Sequence, residues 1–114
     1  MKQLVETIFK STIQNGGASY NMEGHSPSKG FMVATYGNET QIKVKDFSKK
    51  RLKSYIRKNK KAIKGNFIGT WVDNGIVYLD ISKKEKSKEI ALKIAKSNKQ
   101  LAIFDLSTFE SIYL

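Results

Sequence analysis

The sequence predicts an α+β fold, in which a single mixed, mostly antiparallel sheet of five to six strands packs against three helices. Three stretches carry apolar residues at the spacing of one helix face, and short apolar or alternating runs lie between them. The predicted order of elements is α-β-β-β-α-β-β-α-β. At 114 residues the chain suits a single domain, residues 1–114, with one modest core.

The first helix is predicted from Met1 to Gln14. Asn15-Gly16-Gly17 ends it, because a glycine after the last turn adopts the left-handed conformation without a Cβ penalty. A phosphate-binding glycine loop would follow a strand and open a helix, whereas here the helix comes first, so a turn is favoured. Residues 18–21 are predicted to form a short edge strand, and a loop with the only proline follows. The apolar face of the helix consists of Leu4, Val5, Ile8, Phe9 and Ile13.

Two hairpins are predicted from four β-prone runs. "FMVATY" and "QIKVK" flank Gly37-Asn38, a dipeptide typical of a hairpin turn. In the second of these runs Ile42 and Val44 are expected to point inward, and Lys43 and Lys45 outward. The other hairpin reads "FIGTWV-DNG-IVYLDI", with the letters DNG as its turn.

A basic helix is predicted between the two hairpins. Ser48 is the expected N-cap, and Phe47 with Leu52 would form a hydrophobic staple across the helix start. Nearly every other position is lysine or arginine. The inward stripe is narrow and consists of Leu52, Tyr55, Ile56 and Ile63.

The third helix is predicted to begin near Ser82, where "SKKE" offers a capping box, although Ser87 is a rival start. "QLAIFDL" then reads as a buried strand, and "FESIYL" as one more. The strand–helix–strand order from Ile76 to Leu106 predicts a right-handed crossover onto a parallel neighbour. The expected buried face of this helix consists of Ile90, Ala91, Ile94 and Ala95.

Composition excludes several classes of protein. There is no cysteine, so disulfides, thiolate catalysis and thiolate metal sites are excluded. The N-terminus, "MKQLVETIFK", lacks the uninterrupted apolar region of a signal peptide, and no stretch has the apolar length of a membrane span. We therefore expect a cytoplasmic protein with no membrane association, and no pattern indicates a cofactor.

The positive charge is concentrated in one segment. The chain has a formal net charge of +11, and the segment from Lys43 to Lys64 holds eleven lysines and arginines against one acid, Asp46. The rest of the chain, with ten basic and nine acidic residues, is nearly neutral. We call residues 43–64 the basic block.

The basic block is the predicted binding site for nucleic acid or nucleoprotein, because clustered cations neutralise phosphates and release counterions. A merely solvated face would normally mix charges of both signs, while an acidic protein surface remains an alternative partner. Only two of the cations are arginines, which favours contact with the nucleic-acid backbone over reading of bases. The predicted binding residues are Lys43, Lys45, Lys49, Lys50, Arg51, Lys53, Tyr55, Arg57, Lys58, Lys60, Lys61 and Lys64.

The other candidate residues carry weaker signals. Tyr55 and Tyr20 are candidates for stacking on unpaired bases, and the only histidine, His25, is expected to be an exposed loop residue. Asp80, Asp105 and Glu89 could together bind Mg²⁺ for phosphodiester cleavage, although their spacing is not distinctive. No catalytic residue and no metal site is therefore assigned. The strand aromatics are expected to pack in the core: Phe31, Tyr36, Phe67, Trp71, Tyr78 and Phe104.

The succession "GGASY", "GFMVATYG", "FIGTWVDNGIVYLDIS" and "KQLAIFDL" resembles a small globular domain encoded by phages and conjugative elements. That domain occurs alone or within large polyvalent proteins, and the similarity covers roughly Gly16 to Leu106. Its motifs are structural, and no catalytic residue is carried over from it. The resemblance implies a mobile-element setting, where small proteins often disarm host defences, anti-CRISPR and anti-restriction proteins among them.

Two functions follow as expectations. The first is a non-enzymatic, mobile-element-encoded inhibitor of a host defence nuclease. Its basic helix would bind guide RNA, DNA or an acidic protein surface, in the cytoplasm of a bacterial host. The alternative is a general RNA- or DNA-binding accessory domain with no defence target.

Overall fold

The computed structural model describes residues 1–35 and 37–114 and has the predicted α+β class. It contains seven strands and four helices, against the five to six strands and three helices expected. In chain order the elements are α1 (Lys2–Asn15), β1 (Gly17–Tyr20), β2 (Phe31–Ala34), β3 (Thr40–Lys43), a 3-10 turn (Val44–Asp46), α2 (Lys49–Lys58), α3 (Lys60–Ile63), β4 (Phe67–Asp73), β5 (Ile76–Glu85), α4 (Lys88–Ser97), β6 (Ala102–Asp105) and β7 (Glu110–Tyr113).

The strands form one sheet in the order β1-β4-β5-β2-β6-β7, with β3 also paired to β5. The pairings that the structure describes are antiparallel throughout, so the sheet is not mixed. The predicted β4–β5 hairpin is confirmed. Its turn consists of Asn74 and Gly75, with φ of 50° and 77°, which are the positive values that a type I′ turn requires.

The end of α1 and the start of β1 also match the prediction. Gly16 has a φ of 80°, and its backbone N–H donates to the Thr12 carbonyl oxygen at 3.0 Å, so it closes the helix in the left-handed conformation. Gly17 then begins β1, which pairs with β4 at the edge of the sheet. The glycine pair is therefore a helix stop.

The predicted hairpin between β2 and β3 is wrong. Both strands pair antiparallel with the same side of β5, β2 through Ala34 opposite Ser82 and β3 through Thr40 opposite Leu79, so they run in the same direction. The physical reason is the length of β5, which at ten residues offers hydrogen-bond partners to two short strands in succession. Of the residues between them, Tyr36 lies outside the described residues.

The crossover from β5 to β6 differs in part from the prediction. β6 is parallel to β5, as expected, but β2 lies between them instead of the two being neighbours. Ser82 does not cap α4, because residues 82–85 extend β5 to pair with β2. The rival N-cap is correct: the Ser87 hydroxyl oxygen accepts from the Ile90 backbone N–H at 3.3 Å.

All four helices lie on the same face of the sheet. Ile68 and Ile81 are paired neighbours in the main core, which α1, α2 and α3 cover. Val33 pairs with Lys83, two residues after Ile81, so it lies on that face too. Val33 belongs to a second core cluster with Ala91 and Ala95 of α4. No helix in the described chain covers the opposite face.

Three aliphatic positions that were expected to point inward are exposed. Ile13 is 51% exposed near the end of α1, where Thr12 takes the buried position. Val44 is 37% exposed, because the chain turns into a 3-10 helix there and the strand alternation ends at Lys43. Ile90 is 49% exposed in the first turn of α4, where the buried positions are Ala91 and Ala95. The longest described helix, α1, has 14 residues, and none has the length and hydrophobicity that a membrane crossing needs.

Candidate nucleic-acid interface

Helix α2 begins as the sequence predicts. The Ser48 hydroxyl oxygen accepts a hydrogen bond from the Arg51 backbone N–H at 3.1 Å, and Ser48 itself is extended, which is the geometry of an N-cap. Phe47 and Leu52, the expected staple, are both buried in the main core. Local capping and the buried stripe together hold α2 against the sheet.

Replacing Ser48 with alanine is expected to lower the free energy of unfolding by about 1 kcal/mol, because the Arg51 N–H loses its acceptor. Urea denaturation monitored by circular dichroism measures this change. Ser54→Ala, an exposed serine in the middle of the same helix, is the matched control and should have little effect. A Ser48→Ala protein as stable as the wild type would contradict the role of Ser48 as a stabilising N-cap of α2.

The basic helix is interrupted at Asn59, which the sequence did not predict. The Tyr55 carbonyl oxygen accepts from the backbone N–H of Asn59 at 3.1 Å and from its side-chain amide at 2.9 Å. The four-residue α3 follows and ends at Ile63, and the chain then turns at Gly65, whose φ is 77°. The interruption lets Ile63 reach the main core while the lysines of α3 stay exposed.

The cations of the basic block cover the whole outward surface of α2 and α3. At about 100° per residue, Leu52, Tyr55 and Ile56 occupy one side of α2, and its remaining positions other than Ser54 are lysine or arginine. Lys53 is half-buried, and the other cations of the block are exposed: Lys43, Lys45, Lys49, Lys50, Arg51, Arg57, Lys58, Lys60, Lys61 and Lys64.

Only one cation of the basic block is neutralised within the described chain. Lys49 Nζ lies 2.7 Å from Glu6 Oε1 on α1, and the same ammonium group lies 5.8 Å from the centre of the Phe9 ring. The hydrogen bond and charge of Lys49 lower the pKa of the exposed Glu6 carboxyl. Lys49 therefore forms an ion pair with α1. The positive charges of the other cations in the basic block are not compensated by a carboxylate of the described residues.

Five of these cations line one cleft of about 610 Å³. One wall is the α2–α3 junction, and the other is the loop after β1, which contributes Met22 and the only acidic side chain of the lining, Glu23. Sequence reasoning did not associate these two residues with the basic block, because some forty residues separate them and no local pattern marks the contact. The cationic lining consists of Arg57, Lys58, Lys60, Lys61 and Lys64.

The prediction that Tyr55 belongs to the binding surface is wrong. Its side chain is only 5% exposed, and its hydroxyl donates to the Asn38 carbonyl oxygen at 2.6 Å. Burial raises the pKa of this phenol above its ordinary value. Tyr55 therefore anchors α2 to the segment before β3. Tyr20, the other stacking candidate, is half-buried and packs against the main core.

Trp71 is not a core residue, contrary to the prediction. Its indole is 50% exposed on the sheet face opposite the helices, and it stacks on Tyr78 with ring centres 5.0 Å apart. Tyr78 is half-buried, and so are Phe31, Phe67 and Phe104; Tyr36 lies outside the described residues.

The carboxylate cluster that could have bound Mg²⁺ does not form. Asp80 shares a face of the sheet with Ser82, whereas Asp105 pairs with Phe31 on the other face, and Glu89 is exposed on α4. In residues 1–35 and 37–114 no group of three histidine, cysteine or acidic side chains could hold a metal ion. His25 is exposed, as predicted.

Asp80 is nonetheless unusual, because burial raises the pKa of its carboxyl to about 6, against an opposing hydrogen bond from Ser82 at 3.3 Å. The folded state therefore holds a proton more tightly than the unfolded state. The ionised carboxylate therefore destabilises the fold above pH 6. This penalty shrinks as the pH falls from about 6 toward the ordinary value of 3.8, and it is absent below that value.

Replacing Asp80 with asparagine is expected to raise the free energy of unfolding at pH 7 by roughly 1–3 kcal/mol, because no charge is then buried. The gain should shrink as the pH falls through 6 and should vanish near pH 4. Urea denaturation at several pH values measures it. Asp73→Asn, an exposed residue of the same hairpin, tests whether loss of any carboxylate suffices, and an equal gain there would contradict the explanation.

Comparison of the chain with known protein families, curated proteins and solved structures finds no match. The resemblance to the phage domain thus gains no support from these comparisons, and the site must be interpreted from its geometry and charge.

Proposed function

We propose that this chain is a non-enzymatic protein that binds the phosphate backbone of RNA or DNA through the basic block. The observation that carries the proposal is the absence of charge compensation there: of eleven cations, Lys49 alone has a carboxylate within 4.0 Å among the described residues. A surface with this charge would attract a polyanion and release its counterions on binding.

The composition of the block supports contact with phosphates more than recognition of sequence. Nine of its eleven cations are lysines, which act as point charges, and only Arg51 and Arg57 carry the planar fork that recognises guanine. Binding should therefore tolerate many sequences. An acidic protein surface offers carboxylates at lower density than a nucleic acid offers phosphates, so it is the less favoured partner.

A narrower role, inhibition of a host defence nuclease, is supported by the resemblance to the phage and conjugative-element domain. Bound to guide RNA or target DNA in the cytoplasm of a bacterial host, the basic block would block assembly of an RNA-guided nuclease or access of its substrate. Expression of the protein in a bacterium with an active CRISPR system should then restore transformation by a targeted plasmid. Unchanged plasmid loss would count against this role and would leave nucleic-acid binding unaffected.

The binding itself is tested by fluorescence anisotropy with labelled single-stranded and duplex oligonucleotides at 20 mM salt. We expect binding by the wild type and at least about a ten-fold loss in a variant with Lys50, Arg51, Lys53 and Arg57 changed to glutamate. The labelled RNA and DNA should stay intact in the presence of Mg²⁺. No anisotropy change with the wild type at this salt concentration would overturn the proposal.

A further inference from the structure

We propose that the cleft is the main phosphate-binding site of the basic block and that it takes a single-stranded nucleic acid. This inference rests on the proposed function and narrows it, since it assigns most of the binding energy to five of the eleven cations. Consecutive phosphates of one strand would contact the cations along the α2–α3 wall, and the unpaired bases between them would lie toward Met22.

Charge is the first argument for the cleft. Five cations and one carboxylate, Glu23, line it, so its charge is strongly positive and complementary to a chain of phosphates. Charges inside a concave site reinforce one another more than charges spread over a convex helix, because low-dielectric walls focus the field. At the N-terminal end of α2, outside the cleft, Lys49 is paired with Glu6, so its charge is compensated.

The walls of the cleft are fixed by hydrogen bonds, which is the second argument. On the loop side, the Asn21 side-chain oxygen accepts from the backbone N–H of Glu23 at 3.1 Å and of His25 at 2.9 Å. On the helix side, the Asn66 side-chain amide donates to the Ala62 carbonyl oxygen at 2.8 Å and closes α3. A site that is already formed loses less free energy to ordering when a ligand binds.

The shape of the cleft favours a single strand over a duplex. Its volume of about 610 Å³ is within the range of pockets that bind small ligands, roughly 300–1,000 Å³. A flexible strand can bend its phosphates into a concavity, whereas duplex DNA is stiff over about 150 base pairs and presents a convex backbone. Met22 packs against the main core and adds an apolar side chain to the lining, which an unpaired base can contact.

The decisive experiment compares two triple reversals of equal charge. One changes Lys60, Lys61 and Lys64 in the cleft to glutamate, and the other changes Lys88, Lys93 and Lys96 on α4, which are exposed and lie outside the cleft. Affinity for a labelled 12-nucleotide single strand is measured by anisotropy, with folding checked by circular dichroism. We expect the cleft variant to lose at least about ten-fold more affinity than the α4 variant.

Glu23→Gln provides a test that misfolding cannot imitate, because the expected change is a gain. Removing the only acid of the lining should tighten binding of the 12-nucleotide strand by about two- to five-fold. Glu89→Gln, an exposed acid on α4, is the matched control and should change the affinity less. Equal gains in affinity from the two substitutions would argue against the cleft as the main binding site.

The outcomes separate this inference from the proposed function. Equal losses of affinity from the two triple reversals would overturn the assignment of the cleft as the main binding site. A 12-base-pair duplex bound as tightly as the single strand would overturn the preference for a single strand. Either result would leave general binding of the nucleic-acid backbone in place. Competition by inorganic tripolyphosphate at the same phosphate concentration would overturn the single-strand assignment in favour of a small polyanion. No binding by the wild type would overturn the proposed function itself.

Discussion

Replacing Ile56 with alanine is expected to lower the free energy of unfolding by about 2–5 kcal/mol. Ile56 is fully buried on the inner side of α2 and belongs to the main core with Leu52 and Ile63. Deleting its three outer carbons removes apolar contacts and leaves a cavity that the sheet beneath cannot fill by moving. A loss of this size is a large fraction of the stability of a domain of about 100 residues.

Chemical denaturation at pH 7 measures the loss, and Ile56→Val, which removes a single carbon, should cost only about 0.5–1.5 kcal/mol. Nucleic-acid binding should weaken in the alanine variant only under conditions that unfold it, because no cation is changed. An alanine variant as stable as the wild type would show that α2 is not packed on the sheet as described.

Raising the salt concentration is expected to produce the largest change in binding. If about six phosphates of a single strand are engaged, the association constant should fall by about three-hundred-fold between 50 and 200 mM salt. The physical reason is that each contacted phosphate releases condensed counterions, and this release contributes less free energy when bulk salt is already high. Anisotropy titrations at four salt concentrations give the slope of log K against log salt.

Neutral substitutions show which lysines contribute to that slope. Changing Lys60, Lys61 and Lys64 to glutamine should reduce its magnitude by about two, since each lost contact with a phosphate of a single strand contributes about 0.7. The same change at Lys88, Lys93 and Lys96 is the control and should leave the slope nearly unaltered. An affinity independent of salt would mean that the ligand is held without its phosphates.

The parts of the fold that the sequence predicted correctly are those with local causes. Gly16 ends α1 and Asn74-Gly75 turns the β4–β5 hairpin, because each needs a positive φ that few residues adopt. Ser48 starts α2 for an equally local reason, since a side-chain oxygen caps a backbone N–H three residues ahead. Such causes can be recognised in a window of a few residues.

The errors concern pairings between distant segments. "FMVATY" and "QIKVK" have the local pattern of a hairpin, yet both pair with β5, whose paired residues lie between 33 and 54 positions later in the chain. Ser82 has the pattern of a helix cap, but pairing with β2 keeps it in a strand. In both cases long-range hydrogen bonding overrides the local preference.

The sequence predicted which basic residues form the candidate site, but only part of their arrangement in space. The basic block and its buried stripe could be recognised from the 3.6-residue period, which determines which side of α2 faces the sheet. The cleft could not, because it depends on the interruption at Asn59 and on a loop that folds back beside α3. Tyr55 was assigned to the binding surface as well as to the inward stripe, and the structure confirms only the inward position that its spacing from Leu52 and Ile56 predicts.

The long strand β5 has a consequence for the uniqueness of the fold. Because β3 and β2 occupy successive halves of one side while β4 runs along the other, a shift of β5 by one position would misalign three ladders at once. Such a slip would also turn Val77, Leu79 and Ile81 out of the core. Alternative registers of the three strands paired with β5 are thereby disfavoured together. The register of β2, β3 and β4 therefore depends on this one strand.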